Sequence, residues 1–107
     1  MKPSKPYEEE LYNSLKDPKE ALEYLRAAME DPDRKVFLLA LKDVAIARGG
    51  FQSLAREAHL NRENLYRTLS RHGNPRYENL TSVVEAFGFK LTLERSPKAS
   101  KHYSLRS

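Results

Sequence analysis

The 107-residue chain is 39% hydrophobic and 32% charged, carries a net charge of +4, and has an isoelectric point near 9.4, which fits one small polar-surfaced domain with tails rather than two domains. It contains no cysteine, which excludes disulfides, zinc ribbons and thiol catalysis and is compatible with a reducing cytoplasm. No apolar run reaches the length of a membrane span, and the start Met1-Lys2-Pro3-Ser4-Lys5-Pro6 leads into acidic residues rather than an apolar signal segment.

In chain order, the first dozen residues hold two prolines and the run Glu8-Glu9-Glu10, and read as an arm with at most a short turn at Leu11-Tyr12. Asp17-Pro18-Lys19-Glu20 is a helix start: Asp17 accepts from backbone N–H groups, Pro18 sits where no N–H is needed, and Glu20 completes a capping box. Leu22, Leu25 and Met29 follow at helical spacing. Asp31-Pro32 repeats the start signal for a helix reaching Arg48 through Val36, Phe37, Leu39, Ala40, Val44 and Ala47, the most apolar stretch and the expected spine of the core. Gly49-Gly50 ends it, because glycine takes a left-handed cap conformation at little cost.

A short helix over residues 51–58 follows, with Leu54 and Ala55 inward, then a turn at His59-Leu60. Asn61 caps a helix over 62–69 whose inward residues are Leu65 and Leu69. Arg71-His72-Gly73-Asn74-Pro75 is a loop. A helix over 78–87 places Leu80, Val83, Val84 and Phe87 on one face, and Gly88 stops it. Residues 89–93 alternate apolar and polar, a strand signal, and the chain from Arg95 onward is polar, basic and expected to be disordered.

Chemistry concentrates in Leu54-Ala55-Arg56-Glu57-Ala58-His59-Leu60-Asn61-Arg62-Glu63-Asn64-Leu65-Tyr66-Arg67. Small Ala55 lets two helices approach, and Leu54, Leu60 and Leu65 anchor them. The second helix then presents Arg62, Glu63, Tyr66, Arg67 and Ser70, side chains that hydrogen-bond to base edges and phosphates. Arg reads guanine with two hydrogen bonds, and Glu63 can accept from cytosine N4. Asn64 lies near the helix N-terminus, where free N–H groups attract phosphate. Tyr66 serves equally well as a core residue. Arg71, Asn74 and Arg76 follow the second helix and can grip the phosphate backbone. The three histidines, His59, His72 and His102, form no metal-binding spacing, and the carboxylates read as caps and solvated faces without a catalytic constellation. Neither an enzyme nor a cofactor is expected.

This segment resembles the helix-turn-helix of phage-repressor and Cro-type regulators. The longer stretch, with Asn61-Arg62-Glu63-Asn64-Leu65-Tyr66-Arg67-Thr68-Leu69-Ser70, Gly73-Asn74-Pro75-Arg76-Tyr77 and Phe87-Gly88-Phe89-Lys90-Leu91, is similar to addiction-module antidote proteins over residues 12–93. It departs from relatives at His59, where many carry glycine, and at Phe51, where phage-type repressors often carry a polar phosphate-contacting residue. The resemblance implies an all-α, five-helix phage-repressor-like domain with an N-terminal helical extension and a short C-terminal strand. It divides the chain into an acidic arm and helix (1–33), a DNA-binding domain (34–93) and a basic flexible tail (94–107). The DNA-binding residues it points to are Gln52, Asn61, Arg62, Glu63, Asn64, Tyr66, Arg67, Arg71, Asn74 and Arg76.

Charge distribution agrees with a division of labour. Residues 1–33 hold five Lys/Arg and nine Asp/Glu, a net of −4, whereas residues 34–50 and 51–77 each net +3. Basic segments concentrate near polyphosphate. Toxins paired with such antidotes are typically small basic ribonucleases, so the resemblance implies a toxin partner for which Glu8, Glu9 and Glu10 supply steering and Leu11, Tyr12 and Leu15 apolar contact. Leu22 and Leu25 are better explained by packing on the 36–48 helix. One short recognition helix reads few base pairs, so a two-fold homodimer is expected, joined through the 89–93 strand. The resulting expectation is a cytoplasmic antitoxin that binds operator DNA, neutralises a ribonuclease and represses its own operon. The alternatives are a free-standing prophage-type repressor and a protein-interaction module that does not bind DNA.

Overall fold

The computed structural model describes residues 6–70 and 74–97, and among these the chain is all-helical, with six helices and no strand. They are α1 (Pro6–Leu15), α2 (Pro18–Met29), α3 (Arg34–Ala47), α4 (Gly50–Ala58), α5 (Arg62–Thr68) and α6 (Tyr77–Ala86). The expectations for Arg71, His72 and the tail from residue 98, His102 included, lie outside the described residues.

The first helix corrects the reading of an N-terminal arm. Leu11, Tyr12 and Leu15 form an apolar stripe at i, i+1 and i+4, and Leu15 is only 1% exposed. Glu8 and Glu9 occupy the first turn of α1, where negative charge complements the helix dipole. The acidic run that reads as a solvated arm thus helps to open a helix.

Asp17 caps α2 as expected, its Oδ1 accepting from the Lys19 N–H at 3.0 Å. The reciprocal half of the capping box is absent: the Asp17 N–H donates to the Ser14 carbonyl, and Glu20 accepts from Ser14 Oγ at 3.4 Å. The buried stripe of α2 is Ala21, Leu25 and Ala28, so Leu22 and Met29 face outward, contrary to expectation. The third helix starts two residues after the Asp31-Pro32 signal. Asp33 is its cap, accepting from Lys35 N–H, while Asp31 accepts from the Asp33 N–H in the preceding turn. Leu38, Ala40, Leu41, Val44, Ala45 and Ala47 of α3 are buried, and Leu39 is exposed.

The third helix is the shared spine. One side receives α1 and α2, which also pack on each other; α4 leaves its other end and packs on α5 and α6. Leu15, Leu41, Val44, Leu65 and Val83 are the largest fully enclosed side chains, so the core runs unbroken from α1 to α6. A charged tie closes the far side: Arg48, the residue after α3, donates from Nη1 to the Phe87 carbonyl at 2.9 Å and lies over the Phe87 ring. It satisfies a carbonyl at the end of α6 with the charge sign that a helix C-terminus favours.

The expected strand at residues 89–93 is not formed. The segment has no ladder partner among the described residues, and Phe89 and Leu91 instead pack, partly buried, against the core. Leu93 is left almost wholly exposed.

Candidate nucleic-acid interface

The turn between α4 and α5 shows how the sequence aims α5. Backbone at His59 is left-handed (φ 59°, ψ 38°), the only such non-glycine residue among those described. The Leu60 N–H returns to the Ala55 carbonyl at 3.0 Å and the His59 N–H to that of Arg56 at 3.3 Å, the paired bonds of a Schellman ending. His59 therefore adopts the conformation for which glycine is usual. Asn61 then caps α5, accepting from the Asn64 N–H at 2.7 Å. Inside the turn, Leu54, Ala55 and Ala58 of α4 meet Leu65 and Thr68 of α5, all buried. Thr68 resolves its buried hydroxyl by donating to the Asn64 carbonyl at 2.7 Å.

With Leu65 and Thr68 inward, Arg62, Glu63, Tyr66 and Arg67 are exposed together on the outer side of α5. Glu63 and Arg67 form an i,i+4 ion pair at 3.5 Å with both side chains largely in solvent, an arrangement too exposed to contribute much stability and free to rearrange. Arg62 folds over Tyr66, with its guanidinium carbon 5.9 Å from the ring centroid. Tyr66 is 49% exposed, so its ring belongs to the surface although one side rests on Phe51.

Gln52 is exposed on the first turn of α4. Asn74 and Arg76 are exposed before α6, Arg76 lying 3.7 Å from Glu78. The Asn64 N–H and carbonyl are taken by Asn61 and Thr68, so this backbone N–H is already engaged. Asn61 likewise spends its carbonyl oxygen on the cap. Arg71 lies outside the described residues.

The residues assigned to a protein partner lie on α1, which packs on α2 and α3. Glu9 and Glu10 are exposed, Glu8, Leu11 and Tyr12 are half-buried, and Leu15 is core, which removes it from any surface. Beneath them the Tyr24 hydroxyl donates to Asp43 Oδ2 at 2.7 Å, joining α2 to α3. Burial raises the pKa values of Tyr12, Tyr24 and Asp43.

Three features escape sequence reasoning: the Arg48–Phe87 tie, the Tyr24–Asp43 bond and the Phe51–Tyr66 ring pair. Only the last had a local signal, an aromatic residue at Phe51 where a polar one was expected. Among the described residues no cluster of His, Asp and Glu could hold a metal, and no helix is long and apolar enough to cross a membrane.

A family model described as a probable addiction module antidote protein matches residues 7–95. A protein of Haemophilus influenzae (strain ATCC 51907 / DSM 11121 / KW20 / Rd), described as uncharacterized, is 34% identical over 73 residues, 68% of this chain and 74% of that protein. No solved structure matches.

Proposed function

The chain belongs to the family of probable addiction module antidote proteins, which implies a toxin partner, and from this premise we propose that it is a non-enzymatic antitoxin that also binds its own operator DNA. The observation that carries the DNA reading is the outer side of α5. Arg62, Glu63 and Arg67 take no part in the core, yet the Schellman turn and the Asn61 cap hold their helix in a defined direction. In this reading α4 and α5 form a helix-turn-helix and α5 enters the major groove. Arg62 and Arg67 address guanine edges, while Gln52, Asn74 and Arg76 meet phosphates. A helix of seven residues reads few base pairs, so the binding species is a two-fold dimer on half-sites about one DNA turn apart. The toxin is a basic ribonuclease met by the acidic side of α1, and binding of the operator represses the operon.

The test is footprinting and gel shift on duplex DNA from immediately upstream of the gene. The full chain is expected to protect two half-sites. Arg62→Ala or Arg67→Ala is expected to cost roughly 1–3 kcal/mol and relax base preference. Absence of binding, or wild-type affinity and selectivity in both variants, would overturn the assignment.

A further inference from the structure

An aromatic pair joins α4 to the outer side of α5, with Phe51 packed partly buried against the core and Tyr66 largely at the surface. The rings of Phe51 and Tyr66 lie with centroids 5.0 Å apart and planes inclined by 53°. Phe51 is half-buried at the first turn of α4, while Tyr66 keeps 49% of its surface in solvent. A lone solvated tyrosine would sweep through several rotamers. Here Phe51 backs the ring on one side, and Arg62 reaches over it with Nη2 3.5 Å from the Tyr66 hydroxyl oxygen. The other neighbours on this side, Glu63 and Arg67, are charged and engaged with each other. The result is an apolar ledge, flanked by a guanidinium, in the middle of an otherwise polar surface.

In the major groove the apolar group offered by a base edge is the 5-methyl of thymine, and the commonest Arg contact is with guanine O6 and N7. A guanidinium already resting on the Tyr66 ring can address guanine only close to where the ring lies. We propose that the Phe51–Tyr66 ledge reads a thymine methyl group adjacent to the guanine addressed by Arg62. This rests on the placement of α5 in the groove and adds to it a base class and a specificity-determining pair. It also gives Phe51 a second role beside its packing on the core: it supports the ring that reads the base.

The probe is the upstream duplex defined by footprinting, with each thymine replaced singly by deoxyuridine, which keeps the base pair and its hydrogen-bonding groups and removes only the methyl. One thymine per half-site is expected to show weakening by about fourfold, the worth of one buried methyl-sized group. Tyr66→Ala should bind the thymine and deoxyuridine duplexes equally, and Tyr66→Phe should retain the full difference because the ring, not the hydroxyl, makes the contact. Indifference to every deoxyuridine in a duplex that is bound overturns the methyl reading while leaving DNA binding intact. A difference that survives in Tyr66→Ala, or vanishes in Tyr66→Phe, overturns the role of the ring. Failure of the full chain to bind DNA overturns both readings together.

Discussion

At residue scale, His59 shows how a short turn can accept a side chain that its geometry disfavours. Its left-handed backbone serves the Schellman bonds that end α4, and an L-residue there crowds its Cβ against the following carbonyl oxygen. Glycine would remove that crowding but would also add freedom to the unfolded chain. Because the strained conformation is fully enforced here, relief is expected to win. His59→Gly should stabilise the chain by about 0.5–1 kcal/mol and raise the thermal midpoint by a few degrees. It should leave DNA affinity unchanged, since the same two backbone bonds hold the turn. Thermal melts followed by circular dichroism check this, and a lowered midpoint would show that the His59 side chain makes a contact worth more than the strain. Gly49 is the opposite case. At φ 115° it precedes α4, a backbone conformation that strains any side chain, and an added Cβ would also sit a tight 3.3 Å from Ser53.

At the scale of elements, what the sequence could show was local. The Asp17 and Asn61 caps, the stops at Gly49 and Gly88, and the stripe Leu80–Val83–Val84–Phe87 are set by neighbours within a turn or two, and α2 through α6 could be placed from them within about two residues at either end. The misplaced features depend on distant partners. Helix α1 packs on α3, residues 89–93 meet no strand among the described residues, and the Arg48–Phe87 tie spans 39 positions. The same holds for the bond between Tyr24 and Asp43, which no periodicity announces. Burial raises the Asp43 carboxyl pKa, the Tyr24 hydroxyl and Lys42 lower it, and Glu8 raises it again; the net shift is upward. A folded-state value above the unfolded one means that holding this carboxylate charged costs stability at neutral pH, a cost relieved as pH falls through the folded-state value. Tyr24→Phe removes the donor that stabilises the charge and raises that value further. The variant is therefore expected to lose about 1–2 kcal/mol at pH 7, and progressively less as pH falls through the folded-state value of the carboxyl. Urea unfolding over a descending pH series measures this, and a deficit that is constant or grows on acidification would mean that the hydroxyl does not act on the carboxylate.

At the scale of the whole molecule, charge and topology divide together. Within the acidic segment, net −4 over residues 1–33, Glu8, Glu9 and Glu10 lie on α1 and Glu20 and Glu23 on α2, whereas the described basic residues of the candidate DNA surface, Arg62, Arg67 and Arg76, lie on α5 and the approach to α6. The principal packing partners of α1 are α2 and α3, whereas those of α5 are α4 and α6, in a body 52 × 30 × 25 Å across. A toxin on α1 and DNA on α5 would then bind through separate surfaces, as autoregulation by an antitoxin–toxin complex requires. Deleting the N-terminal segment would be a poor test, because Leu15 is core and its loss would cost roughly 2–5 kcal/mol through the cavity left behind. Changing Glu8, Glu9 and Glu10 together to Gln leaves the apolar stripe in place and removes three negative charges, which takes the segment from −4 to −1. If these charges steer a basic toxin, association of the triple variant with that toxin should be slowed about tenfold at low salt. The difference should fade as ionic strength rises past about 0.15 M, where screening takes over. The dependence of DNA affinity on salt should remain that of the wild type, because none of the three residues faces a phosphate in this arrangement. Stopped-flow association with the toxin and salt titration of DNA binding provide the two readings. Equal association rates at low salt for a toxin that does bind would remove α1 from the docking surface. An altered DNA salt slope would mean that the two surfaces are not separate.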